Sequence, residues 1–218
     1  MDTLESLDAL TTEETSSQSQ PSSLSWVVFL VIALIMVCGG LSRSLPSHPS
    51  QPHSSSAVPM LSGSHSLYGS PSISISQIEN ILTYYHSPAS GEGHILYDLS
   101  VSYGIDPIYP LAFFEHESNF GAKGEASYTH SLGNLRCISG YPCVDADRGG
   151  YAYFPTWGDG FHAWFDLLTG DLYKGDGLTT IESIIPRYAP SADNNNESAY
   201  IQSLLYCVNT WHKGQVSL

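Results

Sequence analysis

A helix begun at Asp106-Pro107 and continued through Ile108-Tyr109-Pro110-Leu111-Ala112-Phe113-Phe114 is apolar around most of its circumference. Only the centre of a helical domain accommodates such a helix. Pro107 suits the first helical position, where a missing N–H costs nothing. Ile108, Leu111 and Ala112 lie on one side, Phe113 and Phe114 on another. The same helix ends in two carboxylates, Glu115 and Glu117. Two positions correspond to about 200° of rotation, so the two acids cannot share a face. Glu117 falls on the face of Phe113 and Phe114.

The rest of the predicted domain supplies helices to surround that one. Ser76 is placed to cap a helix whose apolar residues Ile78, Ile81, Leu82 and Tyr85 follow i, i+3, i+4, i+7 spacing. A second helix over about 92–103 buries Ile95, Leu96 and Leu99 and stops at Gly104. Thr156-x-x-Asp159 and Thr179-x-x-Glu182 are both capping-box patterns that start further helices. A last helix over about 197–211 closes the domain through Ile201, Leu204, Leu205 and Val208. Residues 133–154 are rich in Gly, Cys and Tyr and lack helical period, which predicts a small sheet or loop lobe. Asn194-Asn195-Asn196 reads as the turn before the last helix. The expected fold class is mainly α, with a minor β component (α+β), in one domain over 76–218.

Upstream of that domain the composition changes. Residues 1–25 hold five acids, no Lys or Arg and many Ser and Thr, the signature of a disordered tail. Trp26 to Leu41 carries no charge, and at about 1.5 Å per residue it reaches roughly 24 Å as a helix, between a signal-peptide core and a full bilayer span of about 30 Å. The acidic, unusually long start favours a single-pass membrane anchor over a cleaved signal peptide, which opens with basic residues and would release the domain. Cys38 follows Ile35-Met36-Val37 and so lacks the small residues of a lipid-attachment site. Arg43, the only nearby basic residue, weakly favours a cytoplasmic C-terminal side; the cysteines argue the opposite, as set out below. Residues 42–75 then form a Ser/Pro-rich linker: 14 of the 35 residues 42–76 are Ser, and such a stretch acts as a spacer.

The chemistry centres on Glu117. A carboxyl packed against aromatic surface loses hydration, which disfavours its anion and raises its pKa. It then stays protonated near neutral pH and can donate to a leaving glycosidic oxygen, the principle by which lysozymes work. Glu117-Ser118-Asn119-Phe120-Gly121 resembles the glutamate motif of the lysozyme superfamily. It is similar to the E-S-N-F stretch of animal-type lysozymes and to the E-S-x-W/F-G of bacterial cell-wall glucosaminidases. Two further stretches favour the glucosaminidase family. Tyr153-Phe154-Pro155-Thr156-Trp157, leading into Gly160-Phe161 and Leu167-Leu168, resembles that family's F-x-x-Y/F-x-S helix entry. Tyr188-Ala189-Pro190, followed by Asp193 and Ala199-Tyr200-Ile201, resembles its closing Y-A-T-D-P-x-Y-A segment. The resemblance spans Phe113 to Ile201 and implies a lysozyme-like helical domain with a small hairpin lobe.

It also implies roles. Glu117 matches the family's general acid and Tyr188 its cleft tyrosine, with plain packing as the alternative for Tyr188. Gly133-Asn134 falls where the family has a short strand after the catalytic helix, and Asn134 is then expected to contact an N-acetyl group. Tyr153 is expected at the substrate, and Trp157 either in the core, as its helical setting favours, or lining the cleft. The family's second acid, when present, lies on the sheet lobe, where Asp145 and Asp147 are the candidates; neither falls in an alignable motif. A reaction assisted by the substrate's own acetamido group needs no second acid. Glu115 reads as a hydrogen-bonded structural acid, His116 as solvent-facing, and Trp164 and Trp211 as core. No metal-ligand spacing is present, and no cofactor is expected.

Cys137 and Cys143 flank a short Gly- and Pro-containing loop that permits a disulfide, and that bond implies an oxidising compartment. Cys207 lies among apolar residues and reads as a buried free thiol. The charge balance, 7 Lys+Arg against 21 Asp+Glu for a net −14, argues against nucleic acid as a partner and is compatible with a neutral glycan. These readings converge on a peptidoglycan hydrolase, an endo-β-N-acetylglucosaminidase tethered through residues 26–41 with its domain outside the cytoplasm. The alternatives are a lytic transglycosylase or muramidase using the same glutamate, or a glycan-binding module without turnover.

Overall fold

A computed structural model of the protein describes residues 65–218. The expected tail, the apolar segment and residues 42–64 of the linker lie outside the described residues. Among those described, no helix is long and apolar enough to cross a membrane. The domain is mainly helical, with seven α-helices and one two-stranded antiparallel sheet among the described residues.

In chain order the helices are α1 (Ile75–Tyr84), α2 (Gly93–Tyr103), α3 (Ile108–Ser118), the single turn α4 (Ala126–Thr129), α5 (Trp157–Thr169), α6 (Ile181–Tyr188) and α7 (Glu197–His212). Helix α3 packs on α7, α7 on α6, α1 on α2, and α2 on α5. The all-round apolar character of α3 has the expected result: Ile108, Leu111, Ala112, Phe113 and Phe114 are each at most 1% exposed. Phe113 meets Trp164 edge-on at 5.3 Å, and Phe114 stacks on Phe161 at 5.7 Å. Trp164 and Trp211 are wholly buried, as their helical settings predict.

The helix starts differ in detail from the sequence expectation. Helix α1 is capped by Ser74, whose extended backbone lets its side chain accept from Gln77 N, so Ser76 falls inside the first turn. Helix α6 begins one residue late. Thr179 gives its carbonyl to Leu67 N, which leaves Thr180 extended and capping, with Ser183 completing the box in place of Glu182. The Thr156/Asp159 capping box on α5 forms as expected. Pro107 already has helical dihedrals (φ −59°, ψ −16°), and Asp106 Oδ1 accepts from Ile108 N at 3.3 Å and from Ser72 N at 3.1 Å. Asn196 caps α7 by accepting from Ala199 N.

The folded body also begins earlier than residue 76. Ser66 bridges to Thr180 and Tyr68 to Ile105, and Leu67 between them is fully buried. Residues 65–75 are therefore part of the domain rather than spacer, because a buried leucine and paired backbone groups outweigh the serine-rich composition.

Residues 133–154 form the small lobe. Strands β1 (Cys143–Val144) and β2 (Tyr151–Ala152) pair antiparallel, Cys143 opposite Ala152 and Val144 opposite Tyr151. Cys137 and Cys143 are disulfide-bonded with Cα atoms 5.2 Å apart. Gly133-Asn134, expected in a strand, is instead a turn: Asn134 N donates to Ser131 O and Asn134 has φ +47°. Glycine is needed at 133 because a Cβ there would lie 2.6 Å from Trp164 Cδ1.

Helix α5 is seated against the chain entering the lobe through Gly160, where a Cβ would stand 1.9 Å from the His130 carbonyl oxygen. Backbone cannot retreat as a flexible side chain can, so Gly160→Ala is expected to cost about 3 kcal/mol of stability through overpacking. Thermal denaturation should show this as a Tm lowered by roughly 6–12 °C; the neighbouring Gly158→Ala, facing only ordinary contacts, should change Tm far less.

Candidate active site at the end of the central helix

The residues that end α3 are the ones that hold Glu117. Asn119 (φ +49°), Phe120 (φ +53°) and Gly121 (φ +85°) follow one another in left-handed backbone. For a non-glycine residue this costs on the order of 1 kcal/mol each. Phe120 recovers that cost through its ring, which is fully buried against Tyr85 at 5.2 Å and Trp211 at 6.0 Å. Its carbonyl accepts from Ser87 Oγ at 2.8 Å. Gly121 is required twice over, for its φ and because a Cβ would stand 2.9 Å from Leu132 Cδ2. Buried Ser118 clamps the turn: its hydroxyl donates to Leu132 O and accepts from Gly121 N, both at 2.8 Å. Asn134 Nδ2 then donates to the Glu117 carbonyl at 2.8 Å. The turn that bears Glu117 is thus tied to residues 132–134 at the root of the lobe.

The Glu117 carboxyl lies among aromatic residues from three helices. Its Oε1 accepts from Tyr200 Oη at 2.5 Å. Tyr200, on α7, has its ring 6.4 Å from that of Tyr188, and both pack against Phe113. Tyr188 Oη donates to Gly133 O and accepts from Trp164 Nε1, each at 3.3 Å. Burial raises the Glu117 pKa above its ordinary 4.5, while the Tyr200 hydrogen bond and the charge of Arg136 pull it back only in part. Burial also pushes both tyrosine hydroxyls well above their usual range, with the Glu117 charge adding to it, so both remain O–H donors. Glu117 as a whole residue is half-buried, while its carboxyl is the part that burial acts on most.

Glu115 points elsewhere, as the rotation between the two acids requires. Its Oε2 accepts a long contact from Cys207 Sγ at 3.7 Å, and burial raises its pKa as well. Cys207 is a buried free thiol. His116 is exposed, yet its ring centroid lies 3.8 Å from that of Tyr200 and its Nδ1 is 3.0 Å from Ser203 Oγ.

The other expected site residues fall into two groups. Tyr188 and Asn134 join Glu117, although Asn134 meets only the Glu117 backbone: its side-chain Nδ2 donates to the Glu117 carbonyl and its Oδ1 is buried, so it supports the turn. Tyr153 and Trp157 lie together through His130, whose ring is 5.9 Å from the first and 4.9 Å from the second. Asp145 is ion-paired with Arg148 at 3.1 Å, which also binds Glu125 at 2.7 Å, and Asp147 is exposed in the 3-10 turn Ala146–Arg148. Neither aspartate is among the groups that act on the Glu117 charge.

Two members of the site had no role in the sequence reading: Tyr200, named there only as part of the closing segment, and Arg136. Tyr200 had a usable signal: it shares the buried stripe of α7 with Leu204, Cys207 and Trp211, and a tyrosine hydroxyl on a core face must find a partner. Arg136 had none, because the fold of the lobe decides where it lies. Compared with protein families and with characterised proteins, the chain matches none.

A carboxyl whose pKa is raised by an aromatic setting is suited to general-acid chemistry. Its burial also has a consequence for stability. Because the folded-state pKa is raised, protonation of Glu117 favours the folded chain; that contribution is complete below pH 4.5 and is lost as pH rises through the folded value. At neutral pH the ionisable group therefore costs stability, and Glu117→Gln is expected to raise Tm at pH 7 by about 2–4 °C, the effect of roughly 1 kcal/mol in a domain of this size. The gain should shrink towards zero in melts recorded below pH 4.5; an equal gain at all pH values would contradict the burial of this carboxyl.

Proposed function

We propose that this protein is a glycosidase of the lysozyme-like glucosaminidase type that cleaves β-1,4 bonds of peptidoglycan, with Glu117 as general acid. The observation that carries the reading is the Glu117 carboxyl itself, raised in pKa by burial among aromatic rings and oriented by Tyr200. Protonation of the glycosidic oxygen by such a group is what this bond needs in order to break at near-neutral pH. The acidic chain, with net charge −14, suits a sugar polymer better than a polyanion. The disulfide in the lobe supports a location outside the cytoplasm, where such bonds persist, with the apolar segment 26–41 as tether.

One observation favours a second reading of the reaction. The charged neighbour of Glu117 is Arg136, and among the described residues no carboxylate acts on it. A lone acid fits mechanisms in which the substrate supplies the nucleophile: its acetamido oxygen in hydrolysis, or its own 6-hydroxyl in a lytic transglycosylase, which leaves an anhydro sugar. In both, Glu117 first gives a proton to the leaving oxygen and then, as carboxylate, takes one back.

Digestion of purified peptidoglycan with the full chain, followed by mass spectrometry of the products, separates these outcomes. A reducing N-acetylglucosamine end identifies the glucosaminidase, an anhydro end the transglycosylase, and a reducing N-acetylmuramic end a muramidase. Glu117→Gln is expected to lose about 10²–10⁴-fold in rate, the usual contribution of general-acid catalysis, while Glu115→Gln stays within about threefold, since it makes only a long thiol contact. A Glu117→Gln chain as active as the parent overturns the role of Glu117. Fragments released by neither protein leave a glycan-binding module instead.

A further inference from the structure

We propose that Tyr200 is the positioning residue of the site: its hydroxyl holds Oε1 of Glu117 as an acceptor, so that the transferable proton resides on Oε2. This rests on the reading of Glu117 as an acid. The geometry is specific. Tyr200 Oη lies 2.5 Å from Oε1, and the Tyr200 ring has little freedom to turn away. It is 6% exposed, flanked by Phe113 at 6.2 Å and Tyr188 at 6.4 Å, and faced by His116 at 3.8 Å. His116 is in turn anchored to Ser203 one turn further along α7.

The titratable and charged groups around Glu117 are few. They are His116 on its own helix, Tyr188 on α6, Tyr200 on α7 and Arg136 on the lobe, with Tyr173 behind the two tyrosines. Tyr200 is hydrogen-bonded to the carboxyl, and its raised hydroxyl pKa keeps it a donor throughout the working range. An oxygen that already accepts a hydrogen bond is the poorer site for the proton, which leaves Oε2 to carry it.

In the step, the Oε2–H bond breaks as a new O–H bond forms on the glycosidic oxygen. The electron pair of the C–O bond passes to that leaving oxygen, and Glu117 becomes a carboxylate. Tyr200 keeps its proton throughout. Its bond to Oε1 is neutral before the step and charge-assisted after it, so it strengthens as the transition state is approached. An interaction that grows in this way accelerates the reaction rather than merely binding substrate. The same bond offsets part of the desolvation of Glu117, keeping the acid from becoming too weak to ionise.

The test is Tyr200→Phe in the full chain, which keeps the ring and removes the donor, with Tyr206→Phe, exposed on the same helix, as control. Two readouts are independent. In chains labelled at the glutamate side-chain carboxyl carbon, with Glu117→Gln used to assign the signal, NMR titration is expected to show the Glu117 midpoint moving to higher pH in the Tyr200 variant. On peptidoglycan, kcat should fall about 10–100-fold, on the scale of one lost charge-assisted hydrogen bond. KM should stay within about twofold, and the basic limb of the pH profile should move upward with the titration. The control is expected to match the parent in both. A Glu117 midpoint that is unchanged or falls in a folded Tyr200→Phe chain overturns the proposal, as does unchanged kcat. If the parent releases no fragments, the reading of Glu117 as a glycan acid fails while the titration still decides whether Tyr200 governs its carboxyl.

Discussion

Burying α3 on all sides obliges the remaining helices to be arranged around Phe113 and Phe114, and it leaves the last turn of α3 as the place where a polar side chain can emerge. The polar groups of that turn are satisfied inside the domain. Ser118 joins it to Leu132 and Gly121, Asn134 takes the Glu117 carbonyl, and Phe120 fills the space between Tyr85 and Trp211. The five residues from Glu117 to Gly121 act as one device. One carries the functional group, and the other four fix the direction in which it leaves the helix.

The site works against stability in two ways and is offset by packing. Two consecutive non-glycine residues stand in left-handed backbone, and a carboxyl is held out of water. Strain and desolvation of this kind collect at functional positions because a folded body over-determines them. Here the opposing contribution comes from aromatic rings: Trp164, Phe161 and Phe165 of α5, and Trp211 of α7, are completely buried around the helix that bears the acid. Glu115, two positions away and also desolvated, faces a thiol instead of a hydroxyl, and that difference of partner gives the two glutamates different chemistry.

Most of the helical frame was legible in the sequence because apolar period and capping chemistry are local signals. The errors lie where a distant segment intervenes. Ser66 and Leu67 pair with Thr180 and Thr179 and so shift the start of α6 by one residue; Gly133, packed under Trp164, lies in a turn closed by Asn134 N and Ser131 O in place of the expected strand. The choice of Glu117 over Glu115 needed only helical rotation. Its partners did not follow from local pattern: Tyr200 is 83 residues away in sequence, and nothing in its neighbourhood names the carboxyl it would meet. Asp145 illustrates the reverse case, an acid in a suggestive region that is taken up by Arg148.

The way the chain enters the domain has a mechanical meaning. Leu67 N donates to Thr179 O and Leu67 O accepts from Asp106 N, both at 2.9 Å, and the leucine side chain is buried between these two neighbours. A pull on the chain ahead of His65 is therefore borne first by that short seam. Helix α7 reaches the same segment through His212 and Ser72 at 2.9 Å, and Asp106 of the seam also accepts from Ile108 N at the start of α3. The seam thus meets the helix that carries the acid at the end away from Glu117.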